Sequence, residues 1–271
     1  MSTYIFDNDA PQTEDRFDIL QSIYDKFSIE RLTELGIGPG WRCLEVGGGG
    51  GSMANWIADR VGPTGSVLVT DINLSRLQCG AATVEVRRHD IVDDELPTSE
   101  FDLVHIRLVL GLLPGRLRAL RRIHDALKPG GLLVLDEFDC SYLPVFSAPD
   151  DHAAALYTKV TGAVHQLIED YGGDHVWSNH ALAAMQAAGF TDLTQRSRGE
   201  SWQGGSHGIQ LHRVNAQQMQ NQLIDRELIT RNEYDSFLEL IDNPALVVNS
   251  YLMHTIWGRR AQLDPLHQVV H

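Results

Sequence analysis

A chain of 271 residues is long enough for one large domain with insertions, at roughly 100–200 residues per domain. Apolar residues at 43% and charged residues at 21% exclude a disordered, collagenous or coiled-coil chain and allow a sizeable core. Acidic residues outnumber basic ones by 36 to 22, a net charge of −14, so a phosphate backbone meets net repulsion and nucleic acid is not expected as a partner.

Met1 to Pro11 carries acids and lacks an apolar stretch long enough for a signal peptide, and nowhere do about 18 apolar residues run together. A soluble, cytoplasmic protein without a membrane partner is expected. Cys43, Cys79 and Cys140 are odd in number, far apart and without a C-x-x-C pair, which fits a reducing compartment and suggests neither disulfides nor a zinc cluster. No metal is expected, because the His207/His212 and His175/His180 spacings match no helical ligand pair and H-E-x-x-H is absent.

Between residues 16 and 36, Phe17, Leu20, Ile23, Tyr24, Phe27 and Leu32 mostly have an apolar neighbour three or four positions away. This predicts one or two amphipathic helices ending at Gly36. From Trp41 onward, short apolar runs alternate with helical stretches, the signature of βαβ units and a parallel sheet. Strands are expected at Arg42 to Val46, Ser66 to Thr70, Thr83 to Arg88, Phe101 to Arg107 and Gly131 to Asp136, with helices near Ser52 to Val61, Ser75 to Ala81 and Arg116 to Leu127. Lys128-Pro129-Gly130-Gly131 stops the last of these helices. Later come helices at Asp150 to Tyr171, Ala181 to Ala188 and Met219 to Leu240, and strands at Thr191 to Arg198 and at Ser250 to Trp257, where Trp257-Gly258 ends the strand. Helical insertions between late strands usually cover the carboxyl edge of an α/β sheet. One domain is therefore divided into cap helices (1–36), a cofactor-binding core (37–140), a substrate lid (141–180 and 203–249) and late core elements (181–202 and 250–262). Trp177, Trp202, Tyr157, Tyr171, Phe146, Tyr234 and Phe237 lie in or beside that lid, where they either line an aromatic or polyketide-sized pocket or form core.

The five glycines Gly47 to Gly51 follow the first predicted strand and precede a predicted helix. Each costs roughly 0.5–1 kcal/mol in backbone entropy against Ala, and close approach of a ligand to the backbone would explain them. Asp71 ends the next strand, where a carboxylate can accept both hydroxyls of a ribose. His89-Asp90-Ile91 ends the third, offering an acceptor for an adenine amino group and an apolar surface for its ring. A dinucleotide fold shares these features. Glu45, two residues before the first glycine, argues for a cationic ligand instead, since its charge would repel a pyrophosphate. The glycines in register are Gly47, Gly49 and Gly51, and Ser52 stands at the third position of G-x-G-x-x-G.

In Glu45-Val46-Gly47-Gly48-Gly49-Gly50-Gly51, Asp71, His89-Asp90-Ile91, Phe101-Asp102-Leu103-Val104-His105 and Leu127-Lys128-Pro129-Gly130-Gly131, the chain resembles the class I S-adenosylmethionine-dependent methyltransferases. The likeness is greatest to the small-molecule branch that includes quinone-biosynthesis and natural-product enzymes. The resemblance implies a Rossmann-like, doubly wound α/β fold with a mostly parallel seven-stranded sheet and an antiparallel last strand. It also implies S-adenosylmethionine as cofactor, S-adenosylhomocysteine as product, and a small organic acceptor. Glu45, Gly47, Gly49, Gly51, Asp71, Ile72, His89, Asp90 and Ile91 are then cofactor-binding candidates, with His105 at the pocket mouth and Tyr24 closing over it.

Methyl transfer from a sulfonium is an in-line displacement, and alignment can supply roughly 7–11 kcal/mol of its barrier. Base candidates at the strand ends are His105, Arg107, Asp136, Glu137 and Asp139. His105 is the catalytic candidate because imidazole titrates near working pH. Alternatives are a cofactor-binding relative turned to non-methylating chemistry such as cyclisation, and an NAD-dependent oxidoreductase. The substrate, the O-, N- or C-nucleophile and the oligomeric state, a homodimer included, stay open.

Overall fold

The computed structural model describes residues 5–6 and 10–262; of the acid-rich Met1 to Pro11 stretch, residues 1–4 and 7–9 lie outside the described residues. In chain order the elements are α1 (Gln12–Glu34), β1 (Arg42–Val46), α2 (Ser52–Val61), β2 (Ser66–Asp71), β3 (Val84–Arg88), β4 (Phe101–Arg107), a 3₁₀ turn (Leu110–Leu112), α3 (Arg116–Ala126) and β5 (Leu127–Asp139). They continue with β6 (Val145–Ser147), α4 (Asp151–Asp170), α5 (Ser178–Ala187), β7 (Phe190–Arg198), β8 (Ser201–Gln203), α6 (Gln210–Gln218), α7 (Gln220–Asp225), α8 (Arg231–Ile241), β9 (Val247–Asn249) and β10 (Leu252–Arg260).

Seven strands form one sheet in the order β3-β2-β1-β4-β5-β10-β7. The first five run parallel, and β10, the last strand of the chain, runs antiparallel to both β5 and β7. The inner parallel strands β1, β2, β4 and β5 are largely buried because helices cover both faces, whereas the edge strand β3 is mostly exposed and carries Glu85, Arg87 and Arg88. On one face Ile57 and Val61 of α2 and Leu32 of α1 pack against Val67, Leu103 and Val134, all nearly inaccessible. On the other, Leu120 and Ile123 of α3 and Met185 of α5 pack against Leu44, Val104 and Leu135. The strand order reverses between β1 and β4, and α/β sheets bind ligands at the carboxyl end of that switch point.

Above that edge stands a third packed unit with a core of its own. It joins α1, α4, α6, α7 and α8 around Tyr157, Phe237, Leu167 and Ile241, each of which removes roughly 1.5–3 kcal/mol worth of apolar side chain from water. A three-stranded sheet, β6-β9-β8, closes it. Helices α4, α6, α7 and α8 therefore form a cap with a buried interior, and Tyr157, Phe237, Trp202 and Tyr234 are core within it. Trp177 joins the core beneath the main sheet, and Phe146 is exposed. None of the seven aromatic residues singled out from the sequence lines either cavity described below.

Several boundaries differ from the sequence reading for identifiable reasons. Residues 75–81 form no helix. Asp71 and Asn73 accept backbone N–H groups two residues on, from Asn73 and Ser75, turns that compete with helix, and the Gln78 amide and carbonyl bond instead to the Gly50 carbonyl and the Asn55 side chain. The expected helix from Met219 to Leu240 is two helices, α7 and α8, preceded by α6 from Gln210, with a capping box at Thr230 and Glu233 restarting the chain at α8. The last strand does not stop at Trp257-Gly258 but runs to Arg260, the pairing with β7 absorbing a register shift between Trp257 and Arg259. The first helix is single and opens at Gln12, and three of its buried polar side chains are tied down: Arg16 with Asn215, Ser28 with Asp136, Arg31 with Glu34.

Candidate active site

At the switch point a cavity of about 600 Å³ opens between the glycine loop, the ends of β2 and β4, the segment 88–91 and the first turns of α1. The loop is shaped by its glycines in alternation. Gly47, Gly49 and Gly51 have φ of 74°, 52° and 93°, a region that costs other residues roughly 1–2 kcal/mol. Gly48 is needed for space, since a Cβ would collide with Val69, whereas at Gly50 it would meet the movable end of the Gln21 side chain. Amides of Gly47 and Gly48 bond to the Thr70 carbonyl at 2.8 and 3.1 Å, tying the loop to the end of β2. The backbone thereby passes close under the cavity, with Phe17 and Gln21 of α1 facing it.

Asp71 is anchored from two sides, with Oδ2 accepting from the Gly49 amide at 3.1 Å and Oδ1 from the Asn73 amide at 3.0 Å. Burial raises its pKa against these hydrogen bonds. Ile72 and Ile91 bring apolar surface to the wall. Asp90 accepts from the Val92 amide at 2.8 Å. Nε2 of His89 reaches the Glu95 carbonyl at 3.3 Å, while its Nδ1 is buried without a partner. An orphaned polar atom on a cavity wall is what a bound donor would satisfy.

Glu45 is 3% exposed and lines the cavity where the loop begins. In the parallel register of β1 and β4 it stands opposite His105, whose Nδ1 lies 2.6 Å from Glu45 Oε2 and whose Nε2 lies 3.2 Å from Asp136 Oδ2. Ser28 and Thr255 hydroxyls also donate to Asp136, each at 2.5 Å. Burial alone would depress the imidazole pKa, but the charge of Glu45 and the hydrogen bond to Asp136 outweigh it and push it up to about 9. Asp136, which burial would raise, is held below the ordinary carboxylate range by the hydrogen bond and charge of His105. At neutral pH the imidazolium is clamped between two acids.

Eight of the sequence-predicted residues thus meet on one cavity: Glu45, Gly47, Gly49, Asp71, Ile72, His89, Asp90 and Ile91. Three do not. Gly51 lies behind the loop as the residue preceding α2, packed against the Gln78 carbonyl. His105 is inaccessible beneath Glu45 and off the cavity wall, so it cannot reach a substrate proton there. Tyr24 is one turn too far along α1, packed on Phe138 and Phe27 with ring centroids 5.0 and 6.1 Å away. In its place Arg16, Phe17, Leu20 and Gln21 form the α1 wall. Of the remaining base candidates, Arg107 lines the cavity and pairs with Asp25 at 2.7 Å, while Asp136, Glu137 and Asp139 do not converge. Strand alternation turns Asp136 toward His105 and Glu137 toward the amides of Leu110 and Gly111, and Asp139 accepts from Ser141.

A family model described as a methyltransferase domain matches residues 13–195, a span that holds the glycine loop, Asp71 and the 89–91 segment. The chain belongs to this methyltransferase-domain family. Among curated relatives, the ubiquinone/menaquinone biosynthesis C-methyltransferase UbiE of Ectopseudomonas mendocina is 35% identical over 152 residues, 53% of this chain and 58% of that protein. Methyltransferase str2 of Strobilurus tenacellus is 29% identical over 161 residues, 59% of this chain and 57% of that one. The chain therefore spans little more than half the length of the curated relatives it matches. Among solved structures, a Haemonchus contortus phosphoethanolamine N-methyltransferase 2 superposes with a TM-score of 0.56 at 16% identity, covering 97% of this chain and 60% of that one. The YcgJ protein of Bacillus subtilis gives 0.54 at 14% identity, over 88% and 100%. Both likenesses are of fold. No helix among the described residues is long and apolar enough to cross a membrane.

Proposed function

We propose that the protein is an S-adenosylmethionine-dependent methyltransferase acting on a small organic acceptor. The observation that carries this is the alternating glycine loop over a cavity whose wall holds Glu45, Asp71, Asp90 and Ile91 together. The donor set fits the cofactor. Asp71 offers a fixed carboxylate to ribose hydroxyls, the orphaned His89 Nδ1 and Asp90 offer acceptors to adenine with Ile72 and Ile91 against its faces, and Glu45 offers a negative charge to the cationic methionine portion. Such a wall would repel the pyrophosphate of a dinucleotide.

The cofactor, when bound, supplies a methyl group made electrophilic by the positive sulfur. The chain's part is to hold, orient and exclude water. The Gly47–Gly50 backbone gives close approach, and the contact with His105 fixes the Glu45 side chain. Phe17, Leu20 and Gln21 of α1 close the cavity. Relatives named for quinone C-methylation support a small organic acceptor. Calorimetry tests the reading: the full chain should bind S-adenosylmethionine and S-adenosylhomocysteine, and binding of NAD in their place would overturn it.

A further inference from the structure

Arg16 and Leu108, which line the large cavity, also line a second one of about 60 Å³ on its cap side. At roughly 10–15 Å³ for each water this holds about four to six waters, or about 120–180 Å³ of liquid volume, the room a single six-membered ring needs. Its walls suit a flat ring. Phe138 and Tyr251 lie 5.0 Å apart with a 31° tilt, and the His165 and His175 rings stack 5.0 Å apart within 8° of parallel. His175 pairs with Glu169 at 2.9 Å. Burial, with His175 beside it, depresses His165 to about 4, so it is neutral, and its Nε2 is buried without a partner.

Glu137 stands in the same wall. Its Oε1 accepts from the amides of Leu110 at 2.9 Å and Gly111 at 3.4 Å, and among the described residues no ion pair holds it. Burial pushes its pKa up to about 8 against those hydrogen bonds, with the charge of Asp136 adding to the rise. Besides Arg16, the other titratable groups in the same wall are His165, His175, Asp174, Cys140 and Tyr251. Arg116, which donates to the carbonyls of Leu110 and Gly172, has its pKa lowered by burial against the charges of Asp174 and Glu137. Cys140 and Tyr251 are raised well above their ordinary values.

We propose that the smaller cavity seats a single-ring acceptor with an acidic hydroxyl, a phenol or the enol of a cyclic ketone, and that the Glu137 carboxylate receives the hydroxyl proton. The proposal rests on the methyl-transfer reading above. As the proton passes to Glu137, the O–H electron pair stays with the acceptor. The acceptor's oxygen, or the ring carbon conjugated to it, forms the bond to the methyl carbon while the carbon–sulfur pair returns to sulfur, leaving a neutral thioether. Arg16 and Leu108 stand where the two cavities adjoin.

The probe is 4-nitrophenol, whose phenolate absorbs visibly, titrated into the full chain saturated with S-adenosylhomocysteine. The bound pair shares one proton between Glu137 and the phenol. Its affinity should therefore fall at least about tenfold between about pH 7.5 and 9.5 as Glu137 ionises, and less than about threefold in Glu137→Gln. Leu112→Phe, which narrows the cavity, should remove 4-nitrophenol binding and leave S-adenosylhomocysteine affinity unchanged. Displacement of 4-nitrophenol by S-adenosylhomocysteine, an equal pH slope in Glu137→Gln, or undiminished binding in Leu112→Phe would each overturn the proposal. Failure of S-adenosylhomocysteine itself to bind would instead overturn the reading beneath it.

Discussion

Replacing His105 tests the charge at the centre of the site. A histidine with pKa about 9 in the folded chain and 6.5 in the open one binds its proton more tightly by about two and a half units, about 3 kcal/mol at 1.36 kcal/mol per unit. The folded value is the higher, so this stabilisation is fully present below pH 6.5 and is lost as pH rises through about 9. In His105→Ala, Glu45 and Asp136 face each other in the interior without a cation, and breaking a buried ion pair costs roughly 3–5 kcal/mol. Urea unfolding at about pH 6.5 should show a loss of that size, with the fold retained at low denaturant. The deciding measurement is the imidazole's own titration by NMR, where the His105 ring should keep its protonated shift through about pH 8, well above the ordinary value of 6.5. A His105 resonance that loses that shift near pH 6.5 would refute the clamped imidazolium. So would a variant as stable as the parent.

Asp71→Ala should weaken S-adenosylhomocysteine binding by about 1–3 kcal/mol, roughly 5- to 150-fold by calorimetry, because hydrogen bonds to a charged acceptor are lost; unchanged affinity would mean the ribose lies elsewhere. Gly51→Ala should lower thermal stability more than Gly36→Ala, since both have positive φ but only at Gly51 would the new Cβ meet a carbonyl, Gln78 O at 2.5 Å; equal losses would show that the loop gives way freely. Burial depresses His165 to about 4 and His212 to about 3, so the unfolded chain takes up protons the folded one refuses and stability drops as pH falls below 6.5, by up to about 3 kcal/mol for each group by about pH 4. His165→Phe should shift the acid midpoint downward, and an unmoved midpoint would exclude His165 as its source. In hydrogen exchange, α4 and α8 should be protected with or without S-adenosylhomocysteine, while residues 16–21 gain protection on binding; ligand-dependent exchange throughout 141–180 would instead mark a mobile lid.

The core strands and the glycine loop were legible in the sequence because what specifies them is local. A continuous apolar run such as Leu132 to Leu135 has few other uses than a doubly covered strand, and five glycines in a row announce a backbone constraint wherever they fall. The 75–81 turn was not legible, since its side-chain-to-backbone hydrogen bonds compete with a helix that the residue types permit equally. The Glu45–His105 contact depends on strand register. Once β1 is placed beside β4, the two side chains fall on one face, but nothing local fixes the offset between strands 60 residues apart. Tyr24 stands on the right stripe of α1 but a turn beyond the end of the cavity, a distance set by where the cap begins. The cap's own core and small sheet join residues from both halves of the chain, as Arg16 does with Asn215, and pattern over a dozen residues carries no trace of them.

Asp136 and Glu137 show why the residue that looked most like a base is not placed to act as one. They are adjacent on β5, equally buried and chemically alike, yet their pKa values move in opposite directions, Asp136 below the ordinary range and Glu137 up to about 8. The difference is the partner. Asp136 faces an imidazolium and two hydroxyls, all favouring its charge; Glu137 faces backbone amides and an apolar wall, which do not offset desolvation. Two acids pushed apart in this way can take different tasks. Asp136 and Glu45 hold the two ring nitrogens of His105 from opposite sides at the start of the glycine loop. His105 thus acts on the cavity through Glu45, by fixing where that carboxylate stands, and its high pKa makes it a poor base at neutral pH. The proton-accepting role passes to the carboxyl group on the opposite face of the same strand.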